Sequence, residues 1–331
     1  MHVFNTVRTL RIAGASALLA LTAATTAEAS VHPLPQALRN AASSVAFTQL
    51  DDPADPTFNQ LLGINNKGVI SGYFGSGAIG HPNIGYTIAP PYTTFESDNL
   101  PGSTQTQATG INNAGVTTGF WAPTNLGSGD ANFGFVRSTL PLYIDINDPL
   151  VASLPHVNQV LGINDSNLTV GFYNDKNGNS HGFAYSLVTG KFMPVSVAFS
   201  GIAIASQAAT GLNNSDLISG FLVKSSGNFD GYLKSLTSGT SVHFRFPPNF
   251  NTQFLGVNNE GVAVGFYNDL QGIPHGVVYN SVNGHSKALN DPNGAMGTII
   301  NGINDKGEAV GFYTDAAGNT HGMLITGITA P

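Results

Sequence analysis

The chain has 331 residues and a formal net charge of −7, with only 9 % charged residues, 40 glycines and no cysteine. Disulfides, thiolate metal sites and thiol catalysis are thereby excluded, and the acidic balance argues against a nucleic-acid partner or electrostatic docking on anionic lipid. About 300 residues suffice to bury a core without covalent staples, and polarity carried by Gly, Asn, Ser and Thr suits tight turns and short strands rather than amphipathic helices.

Residues 1–29 read as an export signal. Arg8 and Arg11 make a basic start, Ile12 to Ala24 is apolar but too short to span a bilayer, and Ala27-Glu28-Ala29 is a small-x-small cleavage site. Its removal takes two of the 12 basic and one of the 19 acidic residues, leaving a mature net charge of −8. A secreted or periplasmic location follows as an expectation, with no membrane insertion after signal removal. Residues 30–44 form a short mature arm.

Residues 45–331 are built from six copies of one phrase. They are Gly63-Ile64-Asn65-Asn66, Gly110-Ile111-Asn112-Asn113, Gly162-Ile163-Asn164-Asp165, Gly211-Leu212-Asn213-Asn214, Gly256-Val257-Asn258-Asn259 and Gly302-Ile303-Asn304-Asp305. The glycines are 47, 52, 49, 45 and 46 residues apart. A period in this range marks one supersecondary unit, copied because it cannot bury its apolar face alone. Each phrase ends a first strand, of which Gln159-Val160-Leu161 is an example. An Asn-x-Gly turn follows, as in Asn66-Lys67-Gly68; in two copies Asn167 or Asp216 stands for the glycine, and these are the next most tolerant of positive φ. The second strand ends in Gly plus aromatic, as in Val264-Gly265-Phe266-Tyr267. A turn such as Asp269-Leu270-Gln271-Gly272 leads to a third strand, which begins His181-Gly182, His275-Gly276 or His321-Gly322 in three copies. A last strand, such as Val242 to Phe246, alternates in polarity.

Four short antiparallel strands per copy, six times over, predict a six-bladed β-propeller. The first copy is preceded by an orphan strand, Val45 to Leu50, and the last stops after Met323-Leu324-Ile325-Thr326. The orphan is therefore expected to complete the last blade and close the ring, hiding an open sheet edge.

The phrases Gly-Ile-Asn-Asn-x-Gly-x-x-x-Gly-Phe-Tyr and Asp-x-x-Gly-x-x-His-Gly-Phe resemble the bacterial extracellular HAF-repeat proteins, named for a His-Ala-Phe triplet that here is His-Gly-Phe or a relative. The resemblance covers about residues 45–327. It implies an exported, propeller-like protein of unassigned function and carries no catalytic residues.

The repeated chemistry reads as scaffold. His181, His275 and His321 each follow an Asp by six residues, but equivalent positions around a ring do not converge, and other copies have Ile84, Phe133 and Asp230 there; bracing of a hairpin is expected. The Asn pairs are expected to cap turns. Asp175-Lys176-Asn177-Gly178-Asn179 has some of the spacing of a calcium loop but lacks its downstream glutamate. No nucleophile elbow, zinc helix, P-loop or dinucleotide fingerprint is present. No catalytic residue, metal or cofactor is assigned.

Departures from the repeat are better candidates. The loop between the second and third strands is irregular in copy one (Gly75 to Asn83, with His81) and copy two (Ala122 to Asn132). Trp121, the only tryptophan, replaces the Tyr found there in copies three, five and six, and suits a stacking platform for a sugar or peptide. Gln60, Gln107, Gln159 and Gln253 precede their glycines by three residues and form a polar collar if that strand lines the channel. Trp121, His81 and these glutamines are the expected ligand-binding residues. The function expected is a non-catalytic binding or scaffold module, monomeric, with a glycan or envelope protein as partner. The alternative is a propeller enzyme, of lyase, hydrolase or lactonase type, acting on an extracellular polysaccharide or lactone; it requires titratable groups to meet near the axis.

Overall fold

The computed structural model describes residues 45–126, 129–140, 142–152, 156–246 and 251–331; the expected signal (1–29) and arm (30–44) lie outside the described residues. The described chain forms 24 strands in six four-stranded antiparallel sheets. Strand β1 is Ala46–Gln49. Blade 1 is β2 (Asn59–Ile64), β3 (Ile70–Phe74), β4 (Ile84–Ile88) and β5 (Phe95–Ser97); blade 2 is β6 (Gln105–Ile111), β7 (Thr117–Ala122), β8 (Phe133–Arg137) and β9 (Tyr143–Asp145). Blade 3 is β10 (Asn158–Ile163), β11 (Leu168–Asn174), β12 (Ser180–Ser186) and β13 (Lys191–Val195); blade 4 is β14 (Ile204–Leu212), β15 (Leu217–Lys224), β16 (Phe229–Ser235) and β17 (Ser241–Phe244). Blade 5 is β18 (Thr252–Val257), β19 (Val262–Asn268), β20 (Pro274–Asn280) and β21 (Ser286–Ala288); blade 6 is β22 (Gly297–Ile303), β23 (Ala309–Thr314) and β24 (Thr320–Thr326), with β1 as its fourth strand.

The ring is a six-bladed β-propeller, closed as the orphan strand predicts. Ala46 pairs with Thr326 and Gln49 with Met323, while Val45 and Phe47 pack on the cluster that holds Met323 and Ile325. Burial falls from the axis outward. Strands β6 and β22 are buried at every position, whereas β1, β5 and β9 are largely exposed. An inner strand is covered on both faces by neighbouring blades, so both of its alternating side-chain sets are buried, polar members such as Gln105 and Gln107 included. The core is accordingly a set of interblade layers, such as Leu61, Ile70 and Tyr86 of blade 1 against Val310 and Leu324 of blade 6.

Two backbone features explain the glycines of the repeat. Every inner strand has a β-bulge just before the Gly of Gly-Ile-Asn. A Cβ on Gly63, Gly110, Gly162, Gly211, Gly256 or Gly302 would sit 3.0, 3.2, 3.2, 2.9, 3.0 or 3.3 Å from the Cα of the next glycine around the ring. Six backbones thus touch at the axis, and only a residue without a side chain lets them. The turn positions behave as predicted too: Gly68, Gly115, Gly261 and Gly307 have positive φ, and so do Asn167 (59°) and Asp216 (58°).

Candidate functional site

Antiparallel order puts the first-to-second and third-to-fourth strand turns on one face of the ring. The second-to-third loops and the blade-to-blade connections lie on the other.

On the first face the Asn pairs build two closed hydrogen-bond rings. The first Asn of each pair accepts two backbone N–H groups of its own turn; Asn65 Oδ1 takes those of Lys67 (2.9 Å) and Val69 (3.0 Å). This is the turn capping expected. Its Nδ2 also donates to the next blade, a bond that one sequence cannot reveal. Asn65 donates to Asn112 O (2.9 Å), and the chain continues through Asn164, Asn213, Asn258 and Asn304 back to Asn65 O (3.0 Å). In the outer ring each backbone N–H donates to the next side chain, from Asn66 to Asn113 Oδ1 (2.8 Å) and around to Asp305, whose N–H reaches Asn66 Oδ1 (2.9 Å).

The rings surround a shallow cup of about 70 Å³ at the channel mouth, floored by Ile64, Ile111, Ile163, Leu212, Val257 and Ile303. Its two carboxylates are occupied internally. Asp165 Oδ2 accepts from Asn113 (2.8 Å) and Asn214 (2.7 Å), and Asp305 Oδ2 from Asn66 (2.6 Å) and Asn259 (2.7 Å). Partial burial opposes ionisation of Asp165, but the Asn113 N–H and the two amides outweigh it and hold the carboxyl below its ordinary range. Polar groups already paired with one another make this mouth a brace that joins the blades.

The other face carries the departures from the repeat, and the structure brings them together. Loops 75–83 and 122–132 touch, with Asn125 Nδ2 donating to Ala78 O (3.1 Å). Beneath them runs a buried network. Asn83 Nδ2 donates to Gly75 O (2.6 Å), Gln107 Nε2 donates to Asn83 Oδ1 (2.7 Å), and the Asn83 N–H reaches Gln105 Oε1 (3.3 Å). Gln105 Nε2 in turn donates to Thr124 O (2.9 Å) and to the buried Asp130 carboxylate (2.8 Å). Asp130 also accepts the Thr124 hydroxyl and the Leu126 N–H. One strand of blade 2, β6, therefore grips both loops. Ile79 and Leu126, one residue from the contact on either side, are exposed.

Trp121 is half-buried at the foot of the second loop. Its indole stacks on Phe133 (4.9 Å, 27°), Phe133 stacks on His156 of the next blade connection (4.3 Å, 22°), and Nε1 donates to Asp145 Oδ1 (3.2 Å). Sister blades have a smaller version, in which Tyr173 and Tyr267 stack on His181 and His275 and Tyr313 packs at a tilt on His321. Those histidines also bond the turn aspartates Asp175, Asp269 and Asp315 at 3.1, 3.1 and 3.3 Å, the hairpin bracing expected of them. The Asp175 carboxylate, bonded to His181 and to the Asn177 and Asn179 N–H groups, is a turn cap.

His81 is exposed in the first loop. The glutamines do not gather into a collar at the cup. Gln107 and Gln159 are buried and turn sideways between blades, and each holds the Asn that ends an irregular loop, Asn83 or Asn132 (2.8 Å for the latter). Gln60 accepts the Tyr73 hydroxyl (2.8 Å), and Gln253 lies opposite Phe266. Alternation along a strand does not separate a channel-facing side chain from one facing a neighbouring blade, which is why spacing alone grouped them. Gln105 and Asp130, the centre of the junction, were missed because neither recurs in other copies. Among the described residues no group of three or more His, Asp or Glu side chains is placed to hold a metal ion, and no helix is long and apolar enough to cross a membrane.

No protein-family model and no curated protein matches the sequence. Solved structures do resemble it. AofleA from Arthrobotrys oligospora aligns with a TM-score of 0.51 at 10 % identity over 85 % of each chain. The Aleuria aurantia lectin AAL, solved in complex with Fucα1-6GlcNAc, aligns with a TM-score of 0.47 at 8 % identity over 81 % of this chain and 91 % of that one. TolB from Acinetobacter baumannii aligns with a TM-score of 0.47 at 11 % identity over 74 % of this chain, which spans 62 % of TolB. At these identities the likeness is one of fold.

Proposed function

We propose that the protein is an exported, monomeric, non-catalytic binding propeller of the envelope or extracellular space, and that its ligand site is the junction of loops 75–83 and 122–132 beside Trp121. The observation that carries this reading is the buried grip of β6 on both loops through Gln105, Gln107, Asn83 and Asp130. Irregular loops without a role need no shared, desolvated anchor, whereas a binding surface built on loops needs a rigid one. A half-buried indole backed by two further rings offers the flat apolar face that stacks on a pyranose, with the Asp145 carboxylate alongside to accept hydroxyls. A neutral glycan is therefore the ligand class proposed. The channel mouth, lined by asparagine and aliphatic side chains with both carboxylates engaged, favours binding over the enzymatic alternative. The HAF-repeat resemblance and the leader-like residues 1–29 support export.

The test is a glycan array on the mature protein, followed by titration of any hit while recording the emission of the single tryptophan. Binding that shifts the emission and is lost when either loop is shortened, with an unchanged thermal transition, supports the proposal. A glycan that binds equally well after both loops are trimmed refutes the site, and no hit on an array spanning neutral glycans refutes the ligand class.

A further inference from the structure

Blades 3, 5 and 6 place an acid and an imidazole six residues apart, as Asp175/His181, Asp269/His275 and Asp315/His321. Blade 4 reverses the charges at the same two places, with Lys224 where the Asp belongs and Asp230 where the His belongs. Lys224 Nζ lies 2.9 Å from Asp230 Oδ1. Two more basic side chains join from the outer strand and its end: His243 Nε2 is 2.8 Å from Asp230 Oδ2, and Arg245 Nε is 3.1 Å from Oδ1. Among the described residues no other carboxylate has three basic partners.

The reversal turns the site inside out. In the sister blades the carboxylate faces water, its side chain 26, 24 and 28 % exposed for Asp175, Asp269 and Asp315. Asp230 is 1 % exposed, and the groups over it are cationic, with Arg245 at 39 % and His243 at 28 %. Lys224 and Arg245 against one carboxylate leave a net charge of +1 before His243 is counted, on a chain of net −7. Burial opposes ionisation of Asp230, but the Lys224 and His243 bonds outweigh it, so the carboxylate remains charged and holds its partners in place. On the side of the 225–228 turn, among the described residues, the approach is open: Ser225 and Ser226 are exposed, and a Cβ on Gly227 would meet nothing within 4 Å.

We propose that this cluster is an oxyanion-binding site, in which Asp230 fixes Lys224, His243 and Arg245 as a cationic platform beside the exposed side chains of Ser226 and Asn228. Its ligand is an oxyanion, supplied either as the carboxylate of an acidic sugar or as a phosphate. A guanidinium and an ammonium fixed in advance recognise both without reorganisation. The site is separate from the loop junction of blades 1 and 2 and stands or falls independently of it.

The test is titration of the ¹⁵N-labelled full chain with sodium glucuronate and with inorganic phosphate, following the amides of residues 222–232. Saturable shifts confined to that segment and weakened by added NaCl support the site, and the probe that binds more tightly names the source of the oxyanion. Two variants sharpen the result. Arg245→Gln should weaken binding about tenfold. The double variant Lys224→Asp with Asp230→His installs the pair that already folds in blade 3; it should abolish binding while the thermal transition persists. No saturable shift with either probe, or equal binding by the folded double variant, overturns the proposal. Trp121 emission should stay constant throughout, which distinguishes this outcome from that of the loop site.

Discussion

Replacing Asn65 with Ala removes three hydrogen bonds in one step. The Lys67 and Val69 N–H groups lose their acceptor, and Asn112 O loses its donor from the neighbouring blade. Asn65 is 4 % exposed, so water cannot readily replace them. At about 1 kcal/mol per bond, with a further penalty for a desolvated group left unpaired, the cost should be about 3 kcal/mol. Asn66→Ala is the control. It also removes two bonds, to Asp305 Oδ2 and from the Asp305 N–H, but at a half-buried rim where water substitutes, so it should cost about 1 kcal/mol or less. Urea melts of both variants, read as midpoint shifts at constant m, give the comparison. Asn213→Ala, with the same three bonds in blade 4, should match Asn65→Ala. A loss at Asn65 no larger than at Asn66 would refute the argument that the inner ring is a structural brace.

Deleting residues 30–51 removes β1 and the packing of Val45 and Phe47, so the cooperative thermal transition should be lost; an unchanged melting temperature would contradict closure by this strand. A Cβ on Gly72, Gly119, Gly171, Gly220, Gly265 or Gly311 would lie 1.9–2.4 Å from an inner-strand carbonyl, so Ala at any of them should cost at least about 3 kcal/mol, the upper end of overpacking. Denaturant melts should show the six behaving alike, because the collision with an inner-strand carbonyl is common to all six, with a third-strand ring adding to it at Gly119 and Gly220. Partial burial works against a charge on His321, but Asp51 (2.7 Å) and Asp315 (3.3 Å) outweigh it and raise its pKa. A raised folded pKa gives stability that is complete below the ordinary imidazole value of about 6.5 and is lost as pH rises through the folded value. Tyr313, tilted against the ring, and buried Asp291 also face this group. The melting temperature should thus fall between slightly acid and alkaline pH, and Asp51→Asn, which installs what Asn290 provides beside His275, should flatten that fall.

The blades, their turns and the closing strand were legible because they rest on local rules repeated six times: a glycine that must be glycine, an Asn that tolerates positive φ, an orphan strand at one end matched by a gap at the other. The inner Asn ring was half legible. Capping is an interaction with residues two and four ahead, whereas donation to the next blade crosses 45 to 52 residues, and 239 where the ring closes, and leaves no trace in spacing. The irregular loops stood out as departures, and their adjacency followed from neighbouring blades. Their anchor did not, because Gln105 and Asp130 meet only after folding. Asp230 was in plain view as a missing histidine, but Lys224 was not singled out, and the convergence of His243 and Arg245 depends on the pairing of β16 with β17.

The touching glycines also govern how such a chain can change in size. Each backbone rests on the next with nothing between, so the inner circumference is six chain-widths around. A seventh unit would spread the circle, widen the channel, and pull every inner Asn amide away from the carbonyl it serves. A five-unit ring would drive main chains into one another. Gain or loss of a unit, the event by which tandem repeats arise, is therefore resisted at every blade interface at once. The smallest residue in the repeat acts as its counter.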